Sequence, residues 1–297
     1  MKLFASAGCA LFAATILFNC GPSKPAWTVL FNGSDLKGWD TYLGPVRDDS
    51  MKITDSIPLG LNQDPRHVFS VVNEDGQPAI RISGAHHGGI STLEEFSNFH
   101  LVLEFKWGTA KIASFRNRKR DSGLLYFAVG PHGADYGNWM RSQEFQIQEG
   151  DCGDYWGVAG GVFDVPVTPD SAGRYFYDKN GTMTTFSAVS TAGRRCFKNP
   201  DAEKPTGEWN TIELYCKGDT SIHVVNGVVN MVLYHSRQTD HGTETPLKKG
   251  KLQLQSEGCE IFYRNIKIES LHDFPSDLVP ADLSDVALAK SDRADSR

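Results

Sequence analysis

The chain has 297 residues, of which 40% are hydrophobic and 11% aromatic, and it includes 29 glycines and 14 prolines. This composition indicates a globular chain with a substantial apolar core and enough turn-forming residues for many short strands. The formal net charge is −6 and the longest basic run covers only residues 116–120. A nucleic-acid-binding protein, which would present a broad basic face, is therefore excluded.

The first twenty residues are predicted to be an export signal. The apolar stretch 3–18 is short for a membrane span and is typical of the hydrophobic part of a signal peptide. Cys20 follows it, which predicts a lipoprotein signal peptide over residues 1–20, lipid attachment at Cys20 and an exported protein anchored in the bacterial envelope. The alternative is a soluble secreted protein cleaved nearby, because Phe18 and Asn19 are bulkier than the residues that usually precede such a cysteine.

The folded domain is expected over residues 27–271, after a tether at residues 21–26. No stretch of ten or more residues shows helical periodicity, and Asn226–Gly227 predicts a hairpin because both residues tolerate a positive φ. The pattern therefore predicts an all-β fold built as a two-sheet antiparallel sandwich. Ten strands are predicted, at residues 68–72, 79–82, 99–107, 123–129, 143–148, 209–216, 220–225, 228–234, 251–255 and 260–268.

Two segments lack this strand pattern. Residues 130–199 are rich in Gly, Asp, Trp and Tyr but alternate little, so they are predicted to be a long functional loop region. Residues 272–297 are polar and lack aromatic residues after Phe274, which predicts a flexible tail.

The predicted strand at residues 143–148 carries a polar stripe. Its alternation directs Phe145 and Ile147 to the core between the sheets. The opposite face then presents one carboxylate and two amides, from Glu144, Gln146 and Gln148. Each amide offers both a donor and an acceptor, so the row suits a ligand rich in hydroxyl groups. The alternative is a solvated sheet face, which more often carries Thr, Lys and Ser.

The predicted strand at residues 251–255 repeats this arrangement. Leu252 and Leu254 are expected to face the core, whereas Gln253, Gln255 and Glu257 face outward. The two stripes would form one polar patch if the strands are neighbours, which the sequence alone does not reveal.

The segments that flank the first stripe supply further candidates. Aromatic rings can stack on the apolar face of a sugar while carboxylates and arginine bind its hydroxyls. Asp151 and Asp154 either bind calcium or another divalent cation, or simply form turns. The candidates are His132, Tyr136, Trp139, Arg141, Glu149, Asp151, Asp154, Tyr155 and Trp156.

Two paired motifs have weaker signals. His86 and His87 lie in a glycine-rich turn, where histidines are usually structural or solvated. Arg194 and Arg195 are either a contact at the rim of a site or a solvated pair.

Four cysteines remain in the expected mature chain, and an even number in an exported protein suggests disulfides. The predicted pairs are Cys152–Cys196 and Cys216–Cys259, and the alternative is four free buried thiols. No pair has the C-x-x-C spacing of a zinc site.

Six motifs in order resemble the bacterial 3-keto-disaccharide hydrolase domain family, and the likeness runs from about Trp27 to Leu271. Asp121 departs from the family pattern, in which many members carry Asn before Ser-Gly. The motifs are LFNGSDLKGW at residues 30–39, DSGLLY at 121–126, QEFQIQEGDCGDYW at 143–156, GEWN at 207–210, VNG at 225–227 and GKLQLQSEGCEIFYRNIKI at 250–268.

The resemblance implies a concanavalin A-like or laminin G-like jelly-roll sandwich and, in some members, cleavage of glycosides that are already oxidised at C3. A hydrolase or lyase acting on a 3-keto-glycoside is therefore the leading interpretation. Glu144, Glu149 and Glu257 favour it, because bond cleavage requires a base and an acid. The alternative is a non-catalytic, lectin-like surface lipoprotein that binds carbohydrate, since one fold hosts both.

A mechanism follows from the chemistry of such a substrate. A ketone at C3 acidifies the hydrogen on C2, so a carboxylate base can start an elimination that expels the group on C1. Glu144 is the first candidate for the base and Glu257 the second. Arg141, His132 or a divalent cation would stabilise the enolate oxygen. The sugar would be positioned by Gln146, Gln148, Trp139, Trp156, Gln255 and Glu149.

Overall fold

The computed structural model describes residues 27–278. These residues form two antiparallel sheets of twelve and eight strands, and their one helical segment is a single 3₁₀ turn at Ala113–Phe115. No helix in this part of the chain is long and apolar enough to cross a membrane. The predicted signal peptide, Cys20, the tether and the tail beyond residue 278 lie outside the described residues. The expected all-β, two-sheet jelly-roll sandwich is confirmed.

The sheets consist of twenty strands in chain order. They are β1 (Thr28–Val29), β2 (Trp39–Arg47), β3 (Ile53–Leu61), β4 (Phe69–Glu74), β5 (Gln77–Ile82), β6 (Gly88–Thr92), β7 (Phe99–Lys111), β8 (Asp121–Val129), β9 (Arg141–Gln148), β10 (Tyr155–Val158), β11 (Gly161–Pro169), β12 (Tyr175–Tyr177), β13 (Thr182–Phe186), β14 (Arg195–Cys196), β15 (Asn210–Lys217), β16 (Thr220–Val225), β17 (Val228–Asp240), β18 (Thr243–Pro246), β19 (Lys251–Ser256) and β20 (Cys259–Ser270).

The larger sheet has the main order β12-β11-β17-β16-β15-β7-β20-β5-β4, with β1, β13 and β18 attached to β20, β11 and β17. The smaller sheet has the order β14-β10-β9-β8-β19-β6-β2-β3. The two strands with polar stripes, β9 and β19, therefore do not pair with each other, because β8 lies between them.

The core is one large cluster of apolar residues from both sheets, and Leu125, Trp139 and Val158 form a second, small cluster. Phe145, Ile147, Leu252 and Leu254 are all buried in the large cluster, so the predicted faces of β9 and β19 are confirmed. The polar stripes lie on the opposite face of the smaller sheet. This face is also largely buried: Gln146 is 6% and Gln253 0% exposed, because the β8–β9 loop covers it. Gln253 accepts a hydrogen bond from the backbone N–H of Met140 in that loop (3.1 Å).

All ten predicted strands are present, and the hairpin at Asn226–Gly227 has positive φ at both residues, 50° and 79°. The prediction that residues 130–199 are mostly loop is wrong, since they contain six strands, β9 to β14. Of these, β9 was predicted and the other five were not. β10, β12, β13 and β14 have only two to five residues, too few to show a clear alternation, and β11 contains Pro166. These strands form because they pair with neighbouring strands, and their own sequences show no strand pattern.

The predicted disulfides are wrong for the described chain, in which all four cysteines are free and buried. Cys216 pairs in register with Phe99 at one end of β7, whereas Cys259 pairs with Lys111 at its other end. At about 3.3 Å per residue the two thiols are roughly 40 Å apart along the strand, so they cannot bond. Cys152 and Cys196 are each fully buried as thiols.

Candidate active site

A cavity of about 390 Å³ lies on the polar face of the smaller sheet, beneath the β8–β9 loop. Both stripes contribute to it. The sequence predicted one polar patch only if the two strands were neighbours, and the structure forms it with β8 between them. Its lining residues are Arg47, Met51, His87, Asp121, Asp135, Tyr136, Asn138, Trp139, Glu144, Gln146, Gln148, Trp156, Val158, Arg194, Gln255 and Glu257.

The middle strand β8 brings the two stripes together. Gly123 pairs with Gln146 of β9, and Asp121, two positions earlier, forms a bridge with Glu257 just after β19. Gly123 has no side chain, and a Cβ at this position would overlap the carboxylate of Glu144 and the amide of Gln255. The absence of a side chain at Gly123 leaves the space in which the carboxylate of Glu144 and the amide of Gln255 meet across β8.

Asp121, Glu144 and Glu257 form a cluster of three carboxyl groups, called here the acid cluster. Burial raises the pKa of Glu144 well above its usual range, and the charge of Asp121 raises it further. Burial, followed by the charges of Asp121 and Glu144, likewise raises the pKa of Glu257. Burial raises the pKa of Asp121 to about 7, against the opposing hydrogen bond from Gln148 (2.6 Å). At neutral pH the cluster therefore holds both protonated and ionised carboxyl groups.

Several polar atoms in the cavity wall are buried without a hydrogen-bond partner. An unpaired buried donor or acceptor is costly, and a bound ligand with hydroxyl groups would satisfy it. These atoms are Gln146 Oε1, Gln255 Oε1, Asn138 Oδ1, Trp156 Nε1 and His87 Nε2.

The two predicted tryptophans line the cavity in different ways. Trp139 donates its indole N–H to the carbonyl of Gly88 (2.8 Å), and its ring packs in a small apolar cluster with Leu125 and Val158. The Trp156 ring lies within cation–π distance of the Arg194 and Arg195 guanidinium groups, at 5.2 and 5.3 Å. The indole N–H of Trp156 is buried without a partner, so it is available to a ligand acceptor.

Arg47 is the unpaired cation of the site. Its Nη1 and Nη2 donate to the carbonyls of Met51 (3.1 Å) and Tyr136 (3.0 Å), while its Nε is buried without a partner. No carboxylate of the described residues lies within ion-pair distance of it. Burial and then the charge of Arg47 lower the pKa of His87 to about 4, so His87 is neutral at pH 7.

Several candidates from the sequence lie outside the cavity wall. Gln253 and Tyr155 are fully buried, and the Tyr155 hydroxyl donates to Gln143 (2.8 Å). Arg141 forms an ion pair with Asp240 (2.7 Å) because it shares the face of β9 that carries Phe145. His132 stacks on Tyr42, with 5.1 Å between ring centroids. Glu149 pairs with Arg120 (2.9 Å).

Several wall residues had weak signals or none in the sequence. Asp121 had a signal, its position in the DSG motif. The turn with His86 and His87 and the Arg194–Arg195 pair were noted but judged weak, and no pattern marked Arg47 or Asn138.

The structure does not support a cation site at Asp151 and Asp154. Asp151 binds Lys119 (2.8 Å) and Arg195 (3.0 Å), and Asp154 binds Arg195 (2.6 Å) and the backbone N–H of Lys198 (2.8 Å). These contacts make the carboxylates ion-pair partners. Among residues 27–278, no group of three or more His, Cys, Asp or Glu side chains is arranged to hold a metal ion.

The acid cluster should make stability depend on pH through Asp121. The folded chain binds this proton more tightly than the unfolded chain, because the pKa rises from 3.8 to about 7 on folding. The free energy of unfolding should therefore fall as the pH rises from about 4 to 7. We expect Asp121→Asn to flatten this decline and to raise the free energy of unfolding at pH 8 by about 2 kcal/mol, measured by urea denaturation. The exposed Asp49→Asn is the control, and parallel profiles for wild type and Asp121→Asn would contradict the coupling.

Solved structures of carbohydrate-related proteins are similar to the chain. Two crystal structures from Parabacteroides distasonis, provisionally named glycosyl hydrolases, are 19% and 20% identical to it, with TM-scores of 0.44 and 0.45. The alignments cover 82% and 83% of this chain and 94% and 100% of theirs. A β-glucanase of Bacillus licheniformis is 10% identical over 84% of this chain and 99% of its own, with a TM-score of 0.39.

No curated protein is significantly similar to the chain in sequence. The family model for the 3-keto-alpha-glucoside-1,2-lyase-like domain, in contrast, matches residues 26–269. This is most of the chain and includes all three carboxyl groups of the acid cluster. The chain therefore belongs to the 3-keto-alpha-glucoside-1,2-lyase-like domain family, whose function is directed at carbohydrates.

Proposed function

We propose that the protein cleaves the glycosidic bond of a 3-keto-glycoside by elimination. The observation that carries the proposal is the acid cluster: three carboxyl groups with raised pKa values share one cavity with unpaired amide and indole groups. A site that only binds sugar gains little from this arrangement, because burying carboxyl groups beside one another is costly. An elimination, in contrast, uses two such carboxyl groups, one that takes a proton from the sugar and one that gives a proton to the leaving group.

The reaction balances without a further reagent. A carboxylate takes the proton from C2, and the electron pair of that C–H bond forms an enolate with the C3 ketone. The enolate then forms a C1=C2 double bond and the C1–O bond breaks. The departing oxygen takes a proton from a second carboxyl group. Addition of water across the double bond gives net hydrolysis, and release of the unsaturated sugar gives a lyase.

The acid cluster supplies the base and the acid. Glu144 is the base, because it lies centrally over Gly123, beside Asp121 and within contact of Gln255. Burial raises the pKa of Glu144 as well, so it acts as the base once its proton has passed to Asp121, whose pKa of about 7 leaves that carboxyl group partly ionised at neutral pH. Glu257 is the proton donor to the leaving group, since burial and its two acidic neighbours favour its protonated form. Asp121, with a pKa of about 7, exchanges protons with both at neutral pH.

Arg47 takes the role that the sequence analysis gave to Arg141 or His132. Its buried, unpaired Nε faces no competing carboxylate among the described residues, so it is suited to the negative charge that develops on the C3 oxygen. The hydroxyls of the sugar are bound by Gln146, Gln148, Gln255, Asn138 and the Trp156 N–H.

The site of action is proposed to be outside the cytoplasm. Its support is the apolar stretch 3–18 followed by Cys20, which predicts export and attachment to the envelope by a lipid.

The test is incubation of the purified protein with 3-keto-trehalose and 3-keto-glucosides in deuterated water, with and without chelator. We expect release of the aglycone and deuterium at C2 of the hydrated product, because elimination exchanges that hydrogen with solvent. Aglycone release without deuterium at C2 would indicate direct displacement at C1. Binding without any release would favour the carbohydrate-binding alternative.

A further inference from the structure

Tyr136 is an exposed aromatic residue at the mouth of the candidate active site. It lines the cavity, yet 67% of its surface is accessible, whereas Glu144 beneath the loop is 6% exposed. A single exposed aromatic side chain is ordinary on a protein surface. Tyr136 differs because it also lines the cavity and therefore lies where a ligand would contact it.

The backbone holds Tyr136 in place at the tip of the β8–β9 loop. Its φ of 47° is left-handed, which is uncommon for a bulky residue. The loop is closed by a hydrogen bond from the Asp135 N–H to the Trp139 carbonyl (3.0 Å), and Arg47 donates to the Tyr136 carbonyl (3.0 Å). The surrounding structure thus fixes a conformation that the residue alone would avoid.

The ring of Tyr136 is supported from one side. The Arg194 guanidinium lies 5.7 Å from its centroid and is held by Asp135 (3.5 Å) and by the Trp156 ring. Within residues 27–278, Arg194 is the only side chain that stacks on this ring. One face of the Tyr136 ring is therefore in contact with a cation, and the other face is part of its exposed surface.

We propose that Tyr136, backed by Arg194, is the platform for the leaving group and selects substrates whose aglycone is a ring. The proposal rests on the proposed function, in which the oxidised sugar lies against the buried acid cluster. The proposal places the group attached to C1 toward the mouth of the cavity, where Tyr136 is located. A sugar or aryl ring can stack on this side chain, whereas a methyl group cannot.

The experiment compares 3-keto phenyl glucoside with 3-keto methyl glucoside. Their Kd values are measured by calorimetry in a Glu144→Gln background, which blocks turnover. Tyr136→Asn removes the ring, and asparagine tolerates the left-handed φ, so the loop is kept. Tyr136→Phe is the matched control, because it keeps the ring and removes only the hydroxyl.

With Tyr136 present we expect the phenyl glycoside to bind roughly tenfold more tightly than the methyl glycoside. Tyr136→Asn should bring this ratio close to one, and Tyr136→Phe should preserve it. The proposal would be overturned if the ratio of the two Kd values were unchanged in Tyr136→Asn, which includes an equal loss of affinity for both glycosides. It would also be overturned if neither glycoside bound to the protein.

Turnover by the otherwise unaltered protein separates the two proposals. Aglycone release with a ratio that does not depend on Tyr136 would refute the platform alone. A ratio that depends on Tyr136 without any aglycone release would retain the platform and refute the elimination.

Discussion

Glu144→Gln should reduce the turnover of a 3-keto-glycoside about a thousandfold, the size of a lost general base. Glutamine keeps the shape and hydrogen-bonding capacity of the side chain but cannot accept the C2 proton. The buried setting of Glu144 also favours a neutral amide, because burial and then the charge of Asp121 disfavour the ionised carboxylate and raise its pKa. We therefore expect the variant to fold and to bind the glycoside with a Kd within about threefold of wild type.

The measurements are steady-state kinetics and calorimetric titration on the same preparation. The exposed Glu94→Gln, which makes the same chemical change outside the cavity, is the control and should retain wild-type turnover. If Glu144→Gln turned over substrate at a rate close to wild type, the base would have to be another member of the acid cluster. Glu257→Gln would then be the variant to measure.

Gly123→Ala should reduce turnover about a hundredfold while leaving the fold intact. The added Cβ would overlap the ends of two flexible side chains, Glu144 and Gln255, which must move aside. A displacement of about 1 Å in a catalytic group is enough for a loss of this size. The thermal unfolding midpoint should change little, because no backbone atom is in the way.

Gly250→Ala is the matched comparison on the same sheet. Its Cβ would overlap backbone atoms of Phe127 and Ala128, which cannot rotate away, so we expect a loss of about 2 kcal/mol in the free energy of unfolding. The two alanines thus separate an effect on the site from an effect on the fold. Wild-type turnover by a folded Gly123→Ala would show that the gap over β8 is not required.

The sequence determined the fold class and half of the site. Period-2 alternation assigned Phe145, Ile147, Leu252 and Leu254 to the core, because a strand with one buried face must place its apolar residues on that face. The same alternation placed the two Glu/Gln stripes on the opposite face. Arg141 was proposed for the site from its charge, but β9 begins at this residue, and alternation then directs it to the face of Phe145.

Only the tertiary structure decided how the stripes combine. β8 lies between β9 and β19, and Gly123 opens the space in which Glu144 and Gln255 meet. Arg47 comes from β2, a hundred positions from β9 in the chain, and no local pattern links such distant residues. The cysteines show the same limit, since their even number suggested pairs but the register along β7 separates Cys216 from Cys259. Local sequence sets which face of a strand is apolar, whereas strand order and register set which polar groups meet.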